Sequence, residues 1–134
     1  MTNSQCVSCG ANENVAFTNR TFHLTHKQFS CDVHGINGDE CPICKEIMFE
    51  ESDDSAVRYS KARDSLVHKF RGQELYRIRA KLNLTQAQMV NLFAGGGHNS
   101  VSRYESGETA IPKPLWVLVR LLDRRPKLLK EITG

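Results

Sequence analysis

The sequence predicts an α+β chain in which a small cysteine-bearing half with short antiparallel strands precedes an all-α half. Three observations predict this division. All five cysteines lie within the first 44 residues, and four of them form two CxxC pairs. Hydrophobic spacing changes from partial alternation to a helical period at Gln73. The charge changes sign as well: residues 1–70 hold 7 Lys or Arg against 10 Asp or Glu, net −3, whereas residues 71–134 hold 11 against 5, net +6.

With 134 residues, 40% of them hydrophobic and 25% charged, the chain is expected to fold as one ordinary domain or two small ones. No run approaches the roughly 18 apolar residues of a membrane helix, and the start, MTNSQCVSCG, lacks the basic and apolar segments of a signal peptide. A cytoplasmic location without a membrane partner is therefore expected. An odd cysteine count in such a reducing compartment argues against a disulfide framework.

Taken in chain order, the first elements are the two cysteine pairs, Cys6-Val-Ser-Cys9 and Cys41-Pro-Ile-Cys44, 31 residues apart. Each pair can form a knuckle that presents two thiolates, and two knuckles together supply the four-sulfur tetrahedron that Zn²⁺ prefers. Four protein ligands leave no open position, so one structural zinc is expected, stabilising a segment too poor in large apolar side chains to build its own core. Cys31 and His34 have CxxH spacing and stand as an alternative ligand pair. A redox role for either CxxC is disfavoured because no βαβ pattern surrounds it. Between the knuckles, VAFTNRTFHLTHKQFSCDV, with Phe17, Phe22, Leu24 and Phe29, reads as short antiparallel strands. A helix then follows, with Ser52 or Asp53 as its cap and Ala56, Val57, Tyr59, Ala62 and Leu66 along it. The expected division is a first domain over 1–66, a linker over 67–72 with a joint near His68 to Gly72, and a second domain over 73–134.

The second domain opens with a helix that buries Leu75, Ile78, Leu82 and Leu84. Thr85-Gln86-Ala87-Gln88 is a capping box that starts the next helix, with Met89, Val90 and Phe93 on its inner side. Three glycines, Gly95 to Gly97, lead to a third helix expected from near His98, with Val101 and Tyr104 inward and a left-handed stop at Gly107. Two short helices joined by a glycine-containing turn are a helix-turn-helix unit, whose second helix enters the DNA major groove. Asn99 and Arg103 lie four residues apart on the outward face, and their side chains suit adenine and guanine edges. Ser100, Ser102, His98 and Lys113 are placed to assist or to hold phosphates. Glu105 is expected to bond backbone at the helix end. The segment PLWVLVRLL, residues 114–122, is apolar on more than one face, which suggests a homodimer through Trp116, Leu118, Val119 and Leu122. Filling the core of a monomer is the alternative use of these side chains. A two-fold dimer would match a palindromic operator in double-stranded DNA. Pro126 opens a last short helix.

These motifs, in this order, resemble the MqsA antitoxins, the YgiT-type zinc-finger and helix-turn-helix proteins. The resemblance is carried by the two CxxC pairs, the segment around Glu50-Glu51-Ser52-Asp53, LNLTQ at 82–86, GGGxNxxSRYExG at 95–107, and the apolar tail helix. It implies an antitoxin, not an enzyme, whose N-terminal domain binds a small ribonuclease toxin of the MqsR type. The C-terminal domain, by the same resemblance, dimerises and represses its own operon. It also implies zinc on Cys6, Cys9, Cys41 and Cys44 and base reading by Asn99 and Arg103. The turn at Phe93-Ala94-Gly95 is one residue longer than in the family motif. A stand-alone zinc- or redox-responsive regulator is the competing reading.

Overall fold

The computed structural model describes residues 5–94 and 97–133. Its elements are three strands, β1 (Val15–His26), β2 (Phe29–Glu40) and β3 (Ile47–Phe49), followed by helices α1 (Ser55–Lys81), α2 (Gln86–Met89), α3 (Ser100–Ser106), α4 (Lys113–Arg124) and α5 (Leu129–Thr133). A π-helical turn, Val90–Ala94, continues α2, and a 3₁₀ turn, Pro126–Leu128, precedes α5. The chain divides into two compact units, residues 1–26 with 30–64 and residues 27–29 with 65–134. The α+β class is as the sequence predicts.

In the first unit the sheet order is β1-β2-β3, and β2 pairs antiparallel to β3 with Gly38 opposite Phe49. That pairing needs glycine, since a Cβ at position 38 would stand 2.3 Å from the Met48 carbonyl oxygen. Phe17, Phe22, Tyr59 and Phe49 form a chain of ring contacts with centroids 4.9–5.8 Å apart, a spacing at which edge-to-face and tilted pairs are favourable. Among the described residues the unit buries few large apolar side chains, chiefly Val33 and Ile36.

Asn37 ties together the sheet and the start of α1. Its amide N–H donates to Ser55 Oγ at 3.0 Å, and its Nδ2 donates to Asp53 Oδ2 at 2.8 Å. Its Oδ1 accepts the Asn19 N–H at 2.8 Å, and its carbonyl accepts the Glu50 N–H at 2.9 Å. Of the two candidate caps, Asp53 takes the role, accepting the Ser55 N–H at 2.8 Å. The Asn37 amide, then the Ser55 N–H, hold its carboxyl below the usual range.

The second unit packs its helices around Leu75, Ile78 and Leu82 of α1, Met89 and Val90, Val101 of α3, and Leu115, Val119 and Leu122 of α4. Each such burial stabilises by about 1.5–3 kcal/mol. The helix expected to open at Gln73 is the end of α1, which starts at Ser55, so residues 67–72, expected as a linker, are helical. Helix α1 stops at Asn83, whose φ of 58° supplies the left-handed turn, while the Leu84 N–H bonds the Arg79 carbonyl. The capping box is present: Gln88 N–H meets Thr85 Oγ1 at 3.1 Å, and Gln88 Oε1 accepts the Thr85 N–H at 2.9 Å.

Gly72 sits inside α1, where a Cβ would lie 2.5 Å from the Tyr104 carbonyl oxygen and 2.6 Å from that of Glu105. The helix therefore crosses the end of α3 at backbone distance. The expected left-handed stop at Gly107, φ 82°, packs against Lys69 of the same helix.

Candidate metal centre and nucleic-acid interface

The two cysteine knuckles are built on one hydrogen-bond plan. Gly10 N–H bonds the Cys6 carbonyl and Cys6 N–H bonds that of Ala11; Lys45 N–H bonds the Cys41 carbonyl and Cys41 N–H bonds that of Glu46. The fifth residue of each turn has positive φ, 77° at Gly10 and 68° at Lys45. Each turn thus bends its two sulfurs to the same side. The Sγ atoms of Cys6, Cys9, Cys41 and Cys44 lie within 4.8 Å of one another, with Cys6–Cys44 and Cys9–Cys41 both at 3.6 Å. Four sulfurs at about 2.3 Å from a tetrahedral zinc would be roughly 3.8 Å apart, so both donor type and spacing fit that ion. Cys6 and Cys41 are buried, whereas Cys9 and Cys44 are exposed.

Three of the thiols are shifted, and not in the same direction. The Cys44 N–H, then that of Ile43, draws Cys41 down to about 7. Cys6 is lowered too, by the amides of Cys9 and Ser8. At Cys44 the Glu46 amide pulls downward, but crowding by neighbouring atoms, despite the residue's exposure, and the other three sulfurs outweigh it and push the thiol up to about 12. Four thiolates this close need a cation among them. Cys31 and His34, the alternative pair, are not in the cluster; His34 Nδ1 meets Thr21 Oγ1 at 2.9 Å.

Helix α3 carries the candidate nucleic-acid face. Val101 is wholly buried and Tyr104 packs partly against the core, which leaves Asn99, Ser102 and Arg103 exposed, together with His98 before the helix and Lys113 at the start of α4. The Arg103 N–H bonds the Asn99 carbonyl at 3.2 Å, so the two residues stand one turn apart on the same side. Asn99 occupies the capping position without a side-chain capping bond. Ser100 departs from expectation: its Oγ is shielded from solvent and has no partner among the described residues. The helix starts at Ser100 rather than near His98. Gly95 and Gly96 of the expected triple-glycine turn lie outside the described residues. Before them, residues Val90–Ala94 form a π-helical turn, whose i→i+5 pattern holds one more residue than an α turn.

Glu105 fixes α3 in a way the sequence reading missed. Arg79 of α1 donates to both its oxygens, at 2.6 and 3.2 Å, and Gln86 Nε2 donates to Oε1 at 2.9 Å. Its partners are side chains rather than the expected backbone. Both charges are largely buried, at 14% and 8% side-chain exposure, and the Arg79 Nη1 also satisfies the Leu84 carbonyl. Removing either partner would strand a buried charge. Glu105 is the one acid in the otherwise acid-free stretch from Thr85 to Ser106, and that isolation was the available signal.

The expected dimer residues divide. Val119 and Leu122 are completely buried in the core of the second unit, so they belong to the monomer and are unavailable to a partner. Trp116 and Leu118 pack partly against the same core, and the guanidinium groups of Arg71 and Arg120 lie 5.2 and 5.7 Å from the Trp116 ring. The exposed apolar residues of α4 are Val117 and Leu121. Among the described residues no helix is long and apolar enough to cross a membrane.

Residues 4–133 match the family described as the antitoxin component of the bacterial toxin-antitoxin system, MqsA. The chain is also 40% identical, over 102 residues, to the Antitoxin MqsA of Escherichia coli strain K12, an overlap that covers 73% of this chain and 76% of that protein.

Proposed function

Because the chain belongs to the MqsA antitoxin family, a family of regulators rather than enzymes, we propose that it neutralises a small ribonuclease toxin of the MqsR type and represses its own operon. In this reading the first unit binds the toxin and holds one structural zinc on Cys6, Cys9, Cys41 and Cys44. The second unit binds double-stranded DNA as a homodimer on a palindromic operator. Asn99 and Arg103 read base edges, with His98, Ser102 and Lys113 on or near the phosphates. Ser100 is dropped from the outward set, since its hydroxyl is turned inward. The dimer surface is the exposed side of α4, with Val117 and Leu121 beside the half-buried Trp116 and Leu118.

The observation that carries the DNA reading is the exposed pair Asn99 and Arg103, one turn apart on a helix locked from behind by Glu105. Asn99→Ala and Arg103→Ala are each expected to cost about 1–3 kcal/mol of binding to the operator, with little change on random DNA. Binding titrations on both DNAs at fixed salt test this. Equal losses on the two would show that these side chains hold phosphates instead of reading bases.

A further inference from the structure

A groove of about 290 Å³ opens on the first unit, apart from the metal ligands. Asp39 of β2, Met48 and Phe49 of β3, Glu50 and Glu51 after it, and Val7 at the tip of the first knuckle line it, and no Lys or Arg does. Val7 is 79% exposed, the most exposed of the large apolar side chains among the described residues. Glu50 is partly engaged, its Oε1 accepting both the N–H and the hydroxyl of Ser52. Asp39 and Glu51 make no ion pair among the described residues. The groove thus combines apolar side chains with carboxylates and has no cation in its lining.

This combination selects one class of occupant. Hard metal ions take six or more oxygen ligands and gain nothing from Met48, Phe49 and Val7. Nucleic acid is repelled by the carboxylates. A lysine or arginine matches both parts, its aliphatic stem lying on apolar surface while its charged head reaches the carboxylates. The volume is at the low end of the range for small-molecule pockets, roughly 300–1,000 Å³, and suits one or two side chains. The net charge of −3 over residues 1–70 would steer a basic protein toward it.

We propose that this groove is where the toxin partner docks, through a segment that places a Lys or Arg side chain with its head at the carboxylates of Asp39 and Glu51 and its stem against Val7 and Met48. The proposal rests on the reading of the first unit as the toxin-binding unit. Val7 and Glu51 are both exposed, so Val7→Lys and Glu51→Lys can be made without disturbing a core. Each full-length, zinc-loaded variant would be titrated with purified MqsR-type toxin co-expressed from the same locus, with zinc content and circular dichroism as fold controls and Glu108→Lys in the second unit as a charge control. The groove variants are expected to bind at least about tenfold more weakly, through a slower association that has lost part of its salt dependence, and the Glu108 variant like the parent chain. Parent-like affinity in both groove variants would overturn the groove while leaving toxin binding in place. Failure of the parent chain to bind the toxin would overturn the toxin reading itself, and the groove with it.

Discussion

At the scale of single residues, the first unit depends on polar groups that are fully used. Asn37 spends its N–H, carbonyl and both side-chain functions on Ser55, Glu50, Asp53 and Asn19. Asn37→Ala removes the two side-chain bonds and leaves the Asn19 N–H and one oxygen of the Asp53 cap without their partner. Both bonds are solvent-exposed, and a hydrogen bond of this kind contributes about 0.5–1.5 kcal/mol net, so the variant is expected to be destabilised by about 1 kcal/mol. Denaturant unfolding, followed by amide exchange in β2 and β3, measures it, and a change within about 0.5 kcal/mol, the usual range for an ordinary surface substitution, would show that water replaces these bonds at no cost. The role of Asn37 was not legible in the sequence, because Asn in a strand reads as a turn residue until its four partners are in place. The cysteines were legible for the opposite reason: metal-ligand chemistry restricts residue type and spacing so strongly that two CxxC pairs identify the cluster without coordinates.

At the scale of elements, local signals translated well where one segment decides the outcome. The Thr85 capping box, the Gly107 stop and the inward positions Leu75, Ile78, Met89 and Val101 are all read from neighbours a few residues apart, and the fold contains them. The expected linker over 67–72 failed because glycine has two uses. Gly72 reads as a flexible joint, yet it lies in the interior of α1, where its missing Cβ admits the Tyr104 and Glu105 carbonyls. Only tertiary packing distinguishes these uses. Gly72→Ala sets two effects against each other: helix propensity favours alanine by about 1 kcal/mol, whereas a Cβ 2.5 Å from a backbone oxygen forces α1 and α3 apart, an overpacking cost of about 1–3 kcal/mol or more. The second effect is expected to win because the obstacle is backbone and cannot rotate away. The variant should therefore lose thermal stability and, since α3 carries Arg103 and is capped by Asn99, affinity for the proposed operator as well. A variant more stable than the parent chain would mean that the helices separate freely and that Gly72 is only a weak point in α1. The division of α4 follows the same logic, since apolar residues on more than one face do not say which of them the core takes; it took Leu115, Val119 and Leu122.

At the scale of the whole molecule, the two units differ in what holds them folded, and this yields a prediction about metal removal. In the first unit the large buried apolar side chains among the described residues are essentially Val33 and Ile36, beside the buried Cys6 and Cys41. The second unit buries aliphatic side chains from α1, α2, α3 and α4, and no cysteine enters it. Zinc bound by four thiolates can contribute on the order of 10 kcal/mol to folding, so withdrawal of the proposed ion is expected to weaken the first unit and leave the second intact. Chelation of the full chain is expected to abolish amide protection in β1, β2 and β3 and to end toxin binding. Protection in α4 and the later part of α1, and binding to the operator, should survive. Helix α1 supplies residues to both units, so fraying is expected to start at Ser55 and to stop near Ser65, where burial of Leu66 and then Leu75 begins. Hydrogen exchange with and without chelator resolves these segments in one experiment. Simultaneous loss of protection in β2 and α4 would show that the metal stabilises the molecule as one cooperative body, and the proposed division of labour between a toxin-binding and a DNA-binding unit would then have to be redrawn.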